Sequence, residues 1–411
     1  MSFPLLGLSP ALVRATSEMG FATPTPIQIQ AIPAVLGGND VLGSAQTGSG
    51  KTAAFGLPLL QLLQAGTKGA PRRVRVLVLV PTRELAAQIG ETLRALAQYQ
   101  VPPPKVAIVF GGVSINPQMM GLRGGADLVV ATPGRLLDLV QHNALRLSAV
   151  AHLVLDEADR LLEPGFAEEL TAVLALLPTR RQNLFFSATL PPSVLALAHG
   201  VLHNPVRLAV PAEVTDGPVT LQRVIAVDAT RRTALLRHLI KEHAWERVLV
   251  FVATRYAAVH LAEKLYQGGV FATAFYGGMG QGARSQVLAE FKNLQWDVVV
   301  TTDLASRGLD IAQLPVVLNY DLPRSAVDYL HRIGRTGRAG QSGLAVSFVS
   351  ADTDAHFRLI EKRQHLSLPR EVIVGFEPVV DRAAQPGTGG IKGKRPSKKD
   401  KLRAAAAALP G

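Results

Sequence analysis

The chain has no cysteine and few aromatic residues, and each shortage excludes some chemistry. With zero cysteines in 411 residues, disulfides, thiolate metal sites and a cysteine nucleophile are ruled out. Phe, Trp and Tyr together make up 5% of the chain, too few for a platform on which successive nucleic-acid bases stack. No apolar run approaches the roughly 18 residues a membrane span requires. The opening stretch, MSFPLLGLSPALVRA, lacks a basic region followed by a small-residue cleavage site, and no Arg-rich transit segment is present. The expectation is a cytoplasmic chain with no secretory signal and no membrane partner. Charged residues are 18% against 48% hydrophobic ones, the balance of a globular protein.

The charge that is present leans one way. The net is +12, and residues 382–411 hold eight Lys/Arg against one Asp. A basic chain favours a polyanionic partner, and a basic tail tethers it without reading sequence. Taken alone, the tail is equally well a solvated extension. Hydrophobic periodicity gives out near residue 376, so 376–411 is expected to be a flexible basic tail.

One pattern occurs twice. VRVLVLVPTRELAAQ (74–88) and ERVLVFVATRYAAVH (246–260) share a Val/Leu strand, a Thr-Arg pair and a helical continuation. Thr132 follows Thr82, and Thr302 follows Thr254, at nearly equal distances. Matching order and spacing predict two structurally similar halves. In each half, short continuous Val/Ile/Leu runs alternate with helical stretches, which predicts an α/β fold of two parallel-sheet domains in tandem, covered by helices on both faces. The expected boundaries are 1–207 and 219–375, joined by a flexible linker at 208–218 that contains Pro211, Gly217 and Pro218. Ligands of such sheets bind at the carboxyl ends of the strands.

HLVLDEADRLLEPGF (152–166) places Asp156, Glu157 and Asp159 at the end of an apolar strand. Crowded carboxylates repel one another and cost desolvation energy, so a cation should compensate them. VLGSAQTGSGKTAAFGLP (41–58) supplies the anion such a cation would bridge to. Gly48, Ser49 and Gly50 let backbone N–H groups converge on phosphate oxygens at the start of a helix. Lys51 would reach the β- and γ-phosphates, and Thr52 would hold Mg²⁺. Ala45 stands where this loop pattern has its first glycine. Asp156 would complete the magnesium shell, and Glu157 would orient and deprotonate the attacking water. The blander account of Glu157 and Asp159, favourable charge in a helix's first turn worth under about 1 kcal/mol, leaves Asp156 on the strand unexplained.

These strings, together with PTREL (81–85), TPGR (132–135), SAT (187–189), TTDLASRGLD (301–310) and HRIGRTGR (331–338), resemble the DEAD-box ATP-dependent RNA helicases from about residue 3 to about residue 375. The resemblance implies two RecA-like domains, ATP and Mg²⁺ as ligands, RNA as partner and a monomeric enzyme. It implies that RNA-stimulated ATP hydrolysis closes and opens the two halves and unwinds RNA locally, without sequence preference. GFATPTPIQ (20–28) is similar to the family's adenine-recognition motif, in which Phe21 and Gln28 would meet the base and Phe3 would stack on it. The phosphate loop would comprise Ala45, Gln46, Thr47, Gly48, Ser49, Gly50, Lys51 and Thr52, and Asp310 would hold the ribose. Arg335 and Arg338 would reach the γ-phosphate as arginine fingers. Asp159, Ser187, Thr189 and His331 would couple hydrolysis to closure.

By the same resemblance, Thr82, Arg83, Gly111, Gly112, Thr132 and Arg135 would line one bank of an RNA groove. Thr254, Arg255, Gln281, Arg284 and Thr302 would line the other, gripping backbone and not bases. The tail would recruit ribosome-assembly or RNA-decay partners. Tyr276 departs from the family's frequent His, and FVATR (251–255) from its more polar string. Two other roles use the same residues, an ATP-gated RNA clamp that seldom unwinds and a DNA-directed translocase.

Overall fold

A computed structural model describes residues 2–45, 48–65, 72–163, 165–209, 220–306, 314–337 and 342–379. Gln46, Thr47, Asp310 and Arg338, most of the expected linker and nearly all of the basic tail lie outside the described residues.

Each half builds one sheet of seven strands. The first comprises β1 (Val41–Ser44), β2 (Val76–Leu79), β3 (Val106–Val109), β4 (Leu128–Ala131), β5 (His152–Asp156), β6 (Gln182–Ser187) and β7 (Val206–Ala209). The second comprises β8 (Thr220–Ala226), β9 (Val248–Phe251), β10 (Ala272–Phe275), β11 (Val298–Thr301), β12 (Val316–Asn319), β13 (Gly343–Val349) and β14 (Arg370–Glu371). Their spatial orders are β3-β4-β2-β5-β6-β1-β7 and β10-β11-β9-β12-β13-β8-β14. Adding seven to every strand of the first order reproduces the second, so the echo read in two strands extends to the whole topology. All neighbouring strands run parallel.

Central strands such as β2, β4 and β9 are apolar throughout because both faces are covered. Successive side chains point to opposite faces, and Val76 and Val78 enter one core with Phe55 and Leu59 while Leu77 and Leu79 enter the other with Leu136 and Leu153. Burying each such side chain contributes about 1.5–3 kcal/mol. In the second half Val248 and Val250 face one core, and Leu249 and Phe251 the other.

Residues 206–209 complete the first sheet against β1, and Thr220 opens the second against β13. Beyond β14, Phe376 lies 5.4 Å from the Arg231 guanidinium and Val379 N–H donates to Asp228 (2.8 Å), so the ordered surface runs slightly past the expected start of the tail. Among the described residues no helix is long and apolar enough to cross a membrane.

Candidate active site and nucleic-acid groove

β1 feeds a glycine loop that opens the helix Lys51–Ala65. Gly48 and Gly50 take φ of +86° and +89°, a region L side chains avoid. A Cβ on Gly50 would sit 2.5 Å from Gln28 Nε2, so the loop closes onto the segment before it. Thr25 Oγ1 donates to Ser49 O (2.9 Å), and Gln28 Nε2 donates to Gly50 O (3.1 Å). Gln28 Oε1 also accepts from Thr25 N–H (2.9 Å), a capping box on its own helix. Gln28 thus holds the phosphate loop as well as its helix. One amide N–H and one oxygen lone pair remain, the pair an adenine edge needs.

Phe3 does not have the free face expected of it. It is 4% exposed and lies in the first half's core with Leu6 and Leu12. The short helix Phe3–Leu6 uses its apolar side chains as anchors, and burial of the ring outweighs leaving it for a ligand. Phe21, half-buried at the edge of the same core, is the aromatic nearest the motif that keeps exposed surface.

Lys51, 7% exposed, donates to Ala45 O at 2.9 Å, leaving two of its three N–H donors for phosphate oxygens. Asp156 ends β5 and is 3% exposed. Burial pushes its carboxyl up to about 6 against the pull of Lys51, and Glu157 beside it adds to the rise. Glu157 itself adopts φ 53°, ψ 50°, a left-handed conformation costing about 1–2 kcal/mol for a non-glycine residue. Burial pushes its carboxyl up, but Arg160, Arg335 and Lys51 outweigh burial and hold it below the usual range. Two adjacent acids are thereby pushed apart, the signature of divided chemical roles.

The cations around Glu157 come from both halves. Arg160 Nε, in the first half, lies 3.4 Å from Glu157 Oε2. Arg335, 7% exposed, and His331 belong to the second half, and the Arg335 charge acts on Glu157. Burial and Arg160 push His331 down to about 4, against the opposing pull of Asp159 and Glu157. Asp159 N–H donates to Ser187 Oγ (3.3 Å), and Thr189 Oγ1 donates to Asp159 Oδ2 (2.7 Å). The four expected coupling residues therefore gather around one point between the halves.

The groove residues are partly engaged in the fold. Thr82 and Thr254 cap the helices after β2 and β9, accepting from Leu85 N–H (3.3 Å) and Ala257 N–H (3.1 Å). Each hydroxyl keeps its hydrogen for a phosphate. Thr132 Oγ1 accepts from Gly111 N–H (3.3 Å), tying two expected contacts together. Thr302 is half-buried just beyond β11. Arg83 packs over Gly112 and Arg255 over Gly278, each with Nη1 2.8 Å from where a Cβ would sit. Arg135 donates to Val113 O (2.6 Å), while its Nε and Nη1 are buried without hydrogen-bond partners, as is Gln281 Oε1.

Arg284 is a correction. It is 2% exposed and its nitrogens are engaged, Nη1 with Tyr276 O (3.0 Å), Nη2 with Ala305 O (3.3 Å) and Nε with Glu84 Oε1 (2.8 Å). It joins the two halves and offers RNA no free donor face. Glu84, within PTREL, and Gly278, two residues past Tyr276, join the expected residues here. Arg332 was missed. It is 2% exposed and holds Asp303 through two bonds (2.5 and 2.8 Å) and Asn319 Oδ1 (3.0 Å), fixing the helix Ala326–Ile333 that carries His331.

The residues fit magnesium and a nucleotide triphosphate. The raised Asp156 carboxyl calls for a cation, Glu157 Oε2 is buried with no hydrogen bond beside its 3.4 Å ion pair to Arg160, and Lys51 keeps two donors for phosphate oxygens. Magnesium bound with substrate phosphates needs only one or two protein carboxylates.

Both halves of the chain resemble known proteins. Residues 25–197 match the family model "DEAD/DEAH box helicase", and residues 231–340 match "Helicase conserved C-terminal domain". The chain is 40% identical over 381 residues to the ATP-dependent RNA helicase DeaD of Buchnera aphidicola, covering 93% of this chain and 62% of that protein, so it spans less than two thirds of that relative's length. It is 38% identical over 369 residues to the DEAD-box ATP-dependent RNA helicase CshA of Bacillus cereus, covering 90% of this chain and 69% of the relative. Among solved structures it resembles S. cerevisiae Dbp5 bound to RNA and ADP BeF3, with a TM-score of 0.81 and 29% identity over 90% of this chain and 95% of that one.

Proposed function

The chain belongs to the DEAD/DEAH box helicase family, and we propose that it is an ATP hydrolase whose turnover is coupled to gripping single-stranded RNA between its two halves. The observation that carries this reading is the convergence on Glu157 of cations from both halves, Arg160 and Lys51 from one and Arg335 from the other. Such a site is complete only when the halves meet.

Lys51 and the N–H groups of the glycine loop hold the β- and γ-phosphates. Thr52 and Asp156 are the residues that would hold magnesium, which when bound neutralises charge developing on the phosphate oxygens. Glu157 is ionised at neutral pH and orients the attacking water with Oε2, which makes no hydrogen bond beside its ion pair with Arg160. A loose phosphoryl transition state asks more for that positioning than for strong basicity. Arg335, and Arg338 by resemblance, supply guanidinium charge to the transferring group from the second half. Gln28 reads the adenine edge with the donor and lone pair it has left.

RNA lies across Arg83, Gly112, Thr132 and Arg135 on one half and Thr254, Arg255 and Gln281 on the other. These side chains grip sugar and phosphate, so little sequence preference is expected. Because ATP and RNA each favour the closed arrangement, they cooperate by population shift. A closed grip that bends one strand out of duplex geometry displaces its complement locally. The similarity to Dbp5 in its RNA- and ADP BeF3-bound form supports assigning the described arrangement to that closed state. ATP turnover measured with single-stranded RNA, with DNA of the same sequence and with neither tests the reading. Stimulation by RNA above DNA is expected, and turnover indifferent to RNA would defeat it.

A further inference from the structure

The first sheet has a second concave surface at the end away from the phosphate cradle. A cavity of about 910 Å³ opens there, and its walls include Arg72, Arg73, Arg123 and Arg146. Arg72 pairs with Asp127 at 3.4 Å. Arg73, Arg123 and Arg146 are exposed and pair with no carboxylate among the described residues. Gly125 makes the cluster possible, because at φ +79° its missing Cβ would lie 2.0 Å from Arg72 O. A side chain there would hold the turn at 123–125 away from the segment that carries Arg72 and Arg73.

The fold does not require these arginines. Strand register pairs Val76 with Leu128 in the first sheet and Val248 with Val298 in the second. Counting back from those pairs, the positions of Arg72, Arg73 and Arg123 correspond to Ala244, Trp245 and Asn293. The duplicated sheet forms with no cation at any of the three. Three exposed guanidiniums without acids repel one another, and an anionic ligand would relieve that cost.

We propose that this cavity is a second phosphate-binding site for RNA, taking single-stranded RNA that leaves the central groove and crosses the edge strand β3. This deepens the function proposed above and rests on it. β3 is the sheet's outer strand and has four residues, about 13 Å of rise. The path from Gly111, beyond its carboxyl end and bonded to Thr132, to Arg123, whose carbonyl accepts from Lys105 at its amino end, is therefore short. Guanidinium forks match phosphate oxygens bidentately. No Phe, Tyr or Trp lines the cavity, so the grip falls on backbone and adds affinity without sequence preference.

The test uses the full chain and its Arg73→Ala/Arg123→Ala/Arg146→Ala variant, with a slow-hydrolysing ATP analogue and oligouridylates of about 6 and about 20 nucleotides in a salt series. For the longer RNA the variant should bind about tenfold more weakly at low salt, and its salt slope should flatten by about two, since each single-strand phosphate contact contributes about 0.7. Affinity for the short RNA, and ATP turnover at saturating short RNA, should match the wild type, and the triple Arg→Lys variant should recover most of the slope. An unchanged slope for the longer RNA, or an equal loss on both lengths, overturns the proposal. Failure of the wild type to bind even the short RNA overturns the underlying function, and the two failures are thus distinct.

Discussion

Arg284 and Glu84, 200 residues apart in sequence, share one oxygen: Arg284 Nε and Nη2 lie 2.8 and 2.7 Å from Glu84 Oε1. Arg83 Nε lies 3.1 Å from the same oxygen. One carboxylate, its side chain 9% exposed, therefore links Arg83 to the residue that joins the halves. In the proposed cycle, RNA drawn to Arg83 would act beside a contact that joins the two halves.

Removing one member of a buried ion pair strands its partner and costs about 3–5 kcal/mol. Arg284→Met or Glu84→Gln should lower the closure equilibrium by a hundredfold or more, read as lost energy transfer between dyes on the two halves with RNA and an ATP analogue present. The double variant Glu84→Leu/Arg284→Met should be less impaired than either single one. Singles that close normally would remove the pair from the closing mechanism.

Glu157→Gln preserves shape and removes the negative charge that faces Arg160 and Arg335. ATP and RNA binding should persist while turnover falls by about 10²–10⁴-fold. Near-normal turnover would exclude Glu157 as the residue that orients water.

Asp156 gives a pH dependence of unusual sign. Its folded value of about 6 lies above the ordinary 3.8, so the folded state binds the proton more tightly than the unfolded chain. The stability penalty, about 3 kcal/mol at 1.36 per unit, is present above pH 6 and is relieved as pH falls from 6 towards 4. Asp156→Asn should therefore raise the thermal midpoint of the nucleotide-free protein at pH 7 while abolishing magnesium-dependent hydrolysis. A lowered midpoint would show that burial does not dominate this carboxyl.

Gly50→Ala places a Cβ 2.5 Å from Gln28 Nε2 in a left-handed backbone. ATP affinity should drop at least tenfold, measured by fluorescent-nucleotide titration, with little change in RNA binding without nucleotide. Unchanged ATP affinity would mean that the loop does not need its closure onto Gln28.

The two halves, their shared plan and the phosphate loop were legible because the signals are local. Apolar strands of fixed length, glycines ahead of Lys51 and acids at the end of β5 are set by neighbours in the chain. Phe3 and Arg284 were read as ligand contacts because their residue types suit ligands. Both are buried, Phe3 by helices that return over it and Arg284 by a carboxylate from the other half. The arginine cavity was invisible for the same reason, since its cations come from three separated segments.

The linear order of residues was thus sufficient to determine the α/β architecture and its duplication, since strand periodicity and turn formation depend on residues a few positions apart. Which polar side chains stay open for nucleotide or RNA, and which are consumed in holding the molecule together, was decided only by the tertiary structure. Burial and charge pairing depend on groups that meet across hundreds of residues, and no local pattern encodes them.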